Sequence, residues 1–183
     1  MATAASSWME RQERDVPFER LFTAEYAKVV AIAYRVLADA HEAEDVAQEV
    51  FCSFHRRHSP DAPYAAAWLH RAAAHAALNV VRGARRRRQR EETEAIARER
   101  EQSTVQASLD PQQALEEAER QREVRQALGR LSPKSAAVLA LRYSGLSYAE
   151  VAEALDVGVG QIGTLLRRAE AALRKEMNDA APH

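Results

Sequence analysis

"SYAEVAEALDVGVGQIGTLLRRAEAALRKE", residues 147–176, decides the fold. Its first four residues, Ser147 to Glu150, form a capping box: the serine oxygen accepts an orphan amide at a helix start and the glutamate reaches back to the serine. The helix that follows ends near Leu155. After a short Asp156-Val157-Gly158 turn, Val159, Ile162, Leu166, Ala169 and Leu173 recur at helical spacing and predict a second helix to about Met177, with that stripe inward. Helix, tight turn, helix is the geometry of a helix-turn-helix. The front of its second helix is unusual, because Gly158, Gly160 and Gly163 stand among aliphatic residues where a DNA-reading helix commonly carries polar side chains.

The same periodicity runs upstream. Ser132 caps and Pro133 opens a shorter helix carrying Ala136, Val138, Leu139, Leu141 and Tyr143. Asp110 and Pro111 start another that runs to about Leu131. Residues 91–110, "EETEAIAREREQSTVQASLD", hold too few apolar residues to build a core and are expected to be a charged linker. Before it, Pro17 is expected to open a first helix after a polar arm (1–16). A second helix runs from about Asp39 to His58, with Ala43, Val46, Ala47, Val50 and Phe54 inward. Ser59 to Pro63 breaks the chain, and a third helix follows from about Tyr64, with Trp68, Leu69, Ala72, Ala76 and Val80 facing in. It continues into the basic run "RGARRRRQR" (82–90). Strand-type alternation is absent, so the expected fold is all-α: two small helical domains, 17–90 and 111–177, joined by the linker and ending in a short tail (178–183).

A chain of 183 residues with net charge −1 and 29% charged residues has no uniformly basic surface, so any nucleic-acid role rests on local charge. The charge is segregated: 82–90 is basic, while "ADAHEAEDVAQEV" (38–50) is acidic. The single cysteine, Cys52, excludes an internal disulfide and is expected to be a small buried hydrophobe. No apolar run has signal-peptide or membrane-spanning length, so a soluble, cytoplasmic protein is expected, without membrane insertion. His41 with Asp45, or His55 with His58, have helix-face spacings that could offer a pair of metal ligands. A pair does not make a zinc site, and neither a metal nor another cofactor is expected. Phosphate-binding glycine loops, cysteine pairs and the usual nucleophile motifs are missing, which argues against an enzyme.

Two segments together carry a resemblance. "EAEDVAQEVFCSF" followed by "AWLHRAAAHAALNVVRGARRRR" resembles region two of the bacterial RNA polymerase sigma factors of the extracytoplasmic-function (ECF) group. "LGRLSPKSAAVLALRYSGLSYAEVAEALDVGVGQIGTLLRRAEAALRKE" resembles region four of the same family. The resemblance implies that the first domain docks on core RNA polymerase and opens the minus-ten element of promoter DNA, while the second reads the minus-thirty-five element. It also implies that an anti-sigma factor is a possible partner.

Glu42, Asp45 and Glu49 lie at i, i+3 and i+7 and share a helix face, with Gln48 beside them. Under the resemblance this acidic stripe binds polymerase. On the third helix, Arg71, His75, Asn79 and Arg82 lie along one outer face, continued by Arg85 and Arg86, and the resemblance gives them the minus-ten element, with Tyr64 touching an unpaired base. The family often has arginine-asparagine where this chain has Ala74-His75, and aspartate at Asn79. In the last helix, lysine and arginine are common where Gly163 and Leu165 stand, and basic residues at Glu170 and Ala172. What remains to reach a major groove is Gln161, Thr164 and Arg168, with Arg167, Arg174 and Lys175 placed for phosphates. Weak reading of this element, through backbone and shape, is therefore expected. Two alternatives stay open: a helix-turn-helix regulator that does not recruit polymerase, and a diverged sigma-like interaction protein whose last helix serves a protein contact.

Overall fold

A computed structural model describes the backbone of residues 2–95 and 111–179, and side chains over 17–87 and 116–179. Every regular element among these residues is an α-helix: α1 (Ala2–Leu37), α2 (Ala40–Arg57), α3 (Ala65–Ala95), α4 (Pro111–Arg130), α5 (Pro133–Tyr143), α6 (Tyr148–Leu155) and α7 (Val159–Asn178).

Most helix ends follow the local chemistry of the sequence. Asp39 caps α2 by accepting the Glu42 amide at 2.9 Å. Ser132 accepts the Ser135 amide at 3.2 Å with Pro133 in the first turn of α5. The capping box of α6 is complete: Glu150 N–H donates to Ser147 Oγ, while the Ser147 amide and hydroxyl both donate to Glu150 Oε2 at 2.8 Å. Asp156 ends α6 in the left-handed region (φ 53°), which aspartate tolerates better than most residues. Asp110, the expected cap of α4, lies outside the described residues, as does most of the expected linker.

The start of α1 corrects the sequence expectation. Pro17 does not open the helix but sits inside one that begins at Ala2. The preceding stretch has no glycine or proline, and Met9 to Arg14 are all good helix formers, so its propensity carries the helix across the one amide bond that proline lacks. At its other end α1 stops on Ala38, a non-glycine residue with φ 52°.

Helices α1, α2 and α3 pack mutually through Val29, Ile32, Val36, Val50, Phe54, Leu69 and Leu78, all buried. The buried arc of α3 is wider than predicted. Ala73, Ala74 and Ala77 are fully buried, while Trp68, Ala72, Ala76 and Val80 are only partly so, because methyl-sized side chains let the neighbours close in around the helix. Helices α4 to α7 pack around Leu141, Val151 and Ile162. Some inward assignments fail. Cys52 is exposed on α2, and Val159, at the bare first turn of α7, is 52% exposed.

The two groups of helices are not separate beads. Helix α3 packs on α4, α5 and α6, α1 packs on α5, and the buried apolar residues form one continuous cluster.

Candidate functional site

Each group of candidate side chains occupies one face of one helix. Glu42, Asp45, Gln48 and Glu49 are all exposed on α2, opposite the buried Ala43, Val46, Ala47 and Val50. Glu44 is exposed on the same helix. No ion pair among the described residues engages these carboxylates. The stripe therefore carries uncompensated negative charge, which a cationic partner surface would relieve.

Along α3, Arg71 and Asn79 are exposed, whereas His75, Arg82 and Arg85 are half-buried and Arg86 is exposed. Burial first, then the Arg71 and Arg82 guanidiniums, hold the His75 imidazole below its ordinary pKa. It is thus a neutral hydrogen-bonding group at neutral pH, not a third cation beside the arginines. Arg82 Nη2 donates to the Leu131 carbonyl at 3.2 Å. Tyr64, 49% exposed at the head of α3, lies edge-on to His58 with its hydroxyl 3.5 Å from His58 Nδ1. Trp68 instead packs against Phe54 and His58, at ring distances of 5.4 and 4.7 Å, and is part of the core wall. His58 is occupied by that aromatic packing, as His55 is by Phe18 at 4.5 Å. No cluster of His, Cys, Asp and Glu suited to a metal is found among the described residues.

A residue that sequence reasoning missed is His70. It is buried beside Leu69, with Nε2 2.7 Å from Glu25 Oε2 on α1. Nothing in the periodicity marks it, because in so alanine-rich a helix the boundary of the buried arc is set by the neighbours and not by a clean apolar stripe.

On α7, Gln161, Thr164, Arg167, Arg168, Arg174 and Lys175 are all exposed, while Ile162, Leu166 and Ala169 seat the helix on the core. Leu165 is half-buried against that core. The glycines are not demanded by packing. A Cβ at Gly160 would meet nothing within 4 Å, and one at Gly163 would reach only ordinary contact with the Tyr148 ring at 4.0 Å. Glu170 has a structural role, since the Tyr143 hydroxyl donates to it at 2.8 Å and ties α5 to α7. That bond, then burial, raises the Tyr143 pKa.

An acidic stripe and a basic face on one helical unit, and a solvent-facing helix-turn-helix on the other, put the candidate surfaces on different helices, in the layout of an all-helical, helix-turn-helix protein. Comparison with known proteins specifies the class. The Sigma-70 region 2 family matches residues 21–87 and the Sigma-70, region 4 family matches residues 121–173. The ECF RNA polymerase sigma factor SigW of Bacillus subtilis is 30% identical over 167 residues, 83% of this chain and 84% of that protein. The ECF RNA polymerase sigma factor SigE of Mycolicibacterium smegmatis is 30% identical over 149 residues, 80% of this chain and 56% of that protein. Among solved structures, the sigma factor RpoE of Bartonella quintana, in complex with the anti-sigma factor NepR, covers 90% of this chain at 20% identity with a TM-score of 0.49. The chain belongs to the ECF RNA polymerase sigma factors, the subunits that direct the polymerase to promoters.

Proposed function

We propose that residues 17–90 form the polymerase-docking and minus-ten unit and residues 111–177 the minus-thirty-five unit. In this assignment Glu42, Asp45, Gln48 and Glu49 bind a basic surface of core polymerase. Arg71, His75, Asn79, Arg82, Arg85 and Arg86 hold the minus-ten strands, Tyr64 contacts an unpaired base, and α7 enters the major groove with Gln161, Thr164 and Arg168 while Arg167, Arg174 and Lys175 hold phosphates. The protein contributes binding and strand separation, acting in the cytoplasm, and bond-making belongs to the core enzyme. An anti-sigma factor, the kind of partner carried by the Bartonella protein, would compete for the same exposed stripe.

The observation that carries this reading is the α2 stripe: three carboxylates on one face, all exposed and none paired among the described residues. Desolvated charge pairs at an interface commonly lose ~2–5 kcal/mol when one partner is removed. The double reversal Asp45→Arg with Glu49→Arg should abolish binding to core polymerase while leaving helix content unchanged. A folded double variant that binds core polymerase like the wild type would overturn the docking assignment.

The bare front of α7 supports weak base reading. With Gly163 open to solvent on one side and no cationic side chain at Leu165, few donors can reach base edges, so backbone and shape contacts dominate. Gly163→Lys with Leu165→Arg should raise transcription from a promoter matched to the family. A flat response would favour a protein contact for this helix.

A further inference from the structure

The loop between α2 and α3, residues 58–64, is built to stand one side chain up. Pro60 and Pro63 restrict its backbone, and two turns close it: the Ala62 amide donates to the Ser59 carbonyl at 3.2 Å, and the Ala65 amide to the Ala62 carbonyl at 2.9 Å. Tyr64 follows at the head of α3, its carbonyl accepting the Trp68 amide at 2.9 Å. The backbone of Tyr64 is thereby set, and what stays to be decided is where its ring points.

His58 meets that ring from the other end of the loop. Its backbone is anchored, because its amide donates to the Phe54 carbonyl at 2.8 Å. Its imidazole packs on two rings of the core wall: it stacks on fully buried Phe54 at 5.2 Å and 29°, and lies 4.7 Å from Trp68. A side chain anchored in both ways is a fixed post. Tyr64 stands against it at 5.9 Å and 85°, with its hydroxyl 3.5 Å from Nδ1. At that length the polar contact is weak, whichever tautomer supplies the donor, so the perpendicular ring contact does most of the holding.

This arrangement suits a stacking platform. A perpendicular neighbour leaves at least one face of the Tyr64 ring uncovered, and the residue is 49% exposed. With the hydroxyl turned toward Nδ1, the ring face is the part left free for a ligand, and every base has a π face to set on it.

Accepting the assignment of Tyr64 to an unpaired base, we propose that His58 is a positioning residue for promoter opening: it touches no DNA itself, and it holds the Tyr64 ring upright at the head of α3 with one face open for the base to stack on. Without the post the ring is free to rotate, and part of the stacking energy goes into ordering it. Aromatic pairs of this kind shift an equilibrium by roughly two- to tenfold, which sets the size of the expected loss.

The test uses holoenzyme assembled from core RNA polymerase and the full chain. A promoter is selected by the wild-type holoenzyme from a randomised promoter library. Affinity is then measured for that promoter fully paired, in the cold where it stays closed, and mismatched over the minus-ten element so that its bases are unpaired. His58→Leu and His58→Met, two shapes of similar bulk, keep apolar packing against Phe54 and Trp68 but take away the ring on which Tyr64 leans. His58→Phe keeps a ring and drops only the polar contact. Tyr64→Ala removes the platform. Urea midpoints and core-polymerase affinity report the fold and the docking surface of each variant.

His58→Leu and His58→Met should bind the mismatched promoter roughly two- to tenfold more weakly, with paired-promoter and core-polymerase affinity unchanged. His58→Phe should keep most of the affinity. In a Tyr64→Ala background His58→Leu should add no further loss, whereas general damage to the loop would add to it. An equal loss in His58→Phe, or a loss that persists in the Tyr64→Ala background, would overturn the proposal. So would wild-type binding by His58→Leu and His58→Met where Tyr64→Ala binds weakly, a result that leaves the assignment of Tyr64 standing. Wild-type binding by Tyr64→Ala would instead remove that assignment, and the role of His58 with it.

Discussion

The two helices of the helix-turn-helix begin in opposite ways. Helix α6 starts on a capping box in which Ser147 and Glu150 satisfy each other's backbone amides, with Lys28 of α1 beside the glutamate. Helix α7 starts on Gly158, with no side-chain cap, an exposed Val159 and Gly160 with open space around it. The supporting helix is thus fastened at its own end and to the other unit. Helix α7 has no such fastening at its start: its buried stripe and, farther along, the Tyr143–Glu170 bond hold it, and its front is nearly bare. The contrast separates what positions the motif from the surface proposed to face DNA.

Removing the buried stripe is the strongest way to break this contrast. Ile162 is fully buried, and Ile162→Ala should destabilise the chain by ~2–5 kcal/mol, the range for large-to-small core truncations, measured as a shift in urea midpoint. A much smaller loss would mean that α7 is held by contacts other than its stripe.

Next in size is the cap of α6. Ser147→Ala removes the oxygen that accepts the Glu150 amide and should cost about 1 kcal/mol in the same titration. Glu150 adds a pH signature. The Ser147 backbone and side-chain hydrogen bonds, aided by Lys28, hold its carboxyl at about 2, below its ordinary 4.5. A carboxyl depressed on folding contributes stability above its unfolded pKa and loses it as pH falls through the folded one. Stability of the wild type should therefore fall between about pH 4.5 and 2 more steeply than that of Glu150→Gln. Parallel profiles for the two proteins would remove the carboxylate's charge from the account of the cap.

The glycines predict gains. Gly163→Ala adds a methyl with room to spare beside Tyr148 and should stabilise α7 by up to ~1 kcal/mol. Gly158→Ser supplies the missing cap and should add a few tenths of a kcal/mol, the smallest effect of the series. If either gain in stability comes with weaker DNA binding, the bare front serves close approach to the duplex. If binding is unaffected, the glycines are neutral to function.

Much of the architecture was legible because it depends on residues near in sequence. The starts of α2, α5 and α6 follow from Asp39, Ser132 with Pro133, and Ser147 with Glu150, each of which bonds an amide three residues away. The exposed stripe of α2 and the exposed face of α7 follow from helical periodicity, which places Glu42, Asp45 and Glu49 together, and likewise Gln161, Thr164 and Arg168.

The misreadings share a different cause. Proline favours first turns, so Pro17 reads as a start, yet the propensity of the residues before it carries α1 through. Cys52 was expected inside by its residue type, but its place on α2 turns it outward, and Val159 fits the apolar spacing of α7 yet falls before the helix meets the core. A one-residue difference in phase, or one turn at a helix end, decides such cases, and composition does not register it.

By itself, the sequence determined that the chain is helical, where its helices are capped, which faces carry charge and, through two motifs in order, the family to which it belongs. Only the tertiary structure decided that His70 pairs with Glu25 inside the first unit and that Arg82 is held by the Leu131 carbonyl. It alone showed the second unit resting on the first, with Gly129 over Val81 and Lys28 against Glu150. The physical reason is range. Caps and faces are set by bonds and rotations within a few residues, whereas these contacts join Lys28 to Glu150, 122 residues apart, and Arg82 to Leu131, 49 apart, and form only after packing has chosen their neighbours.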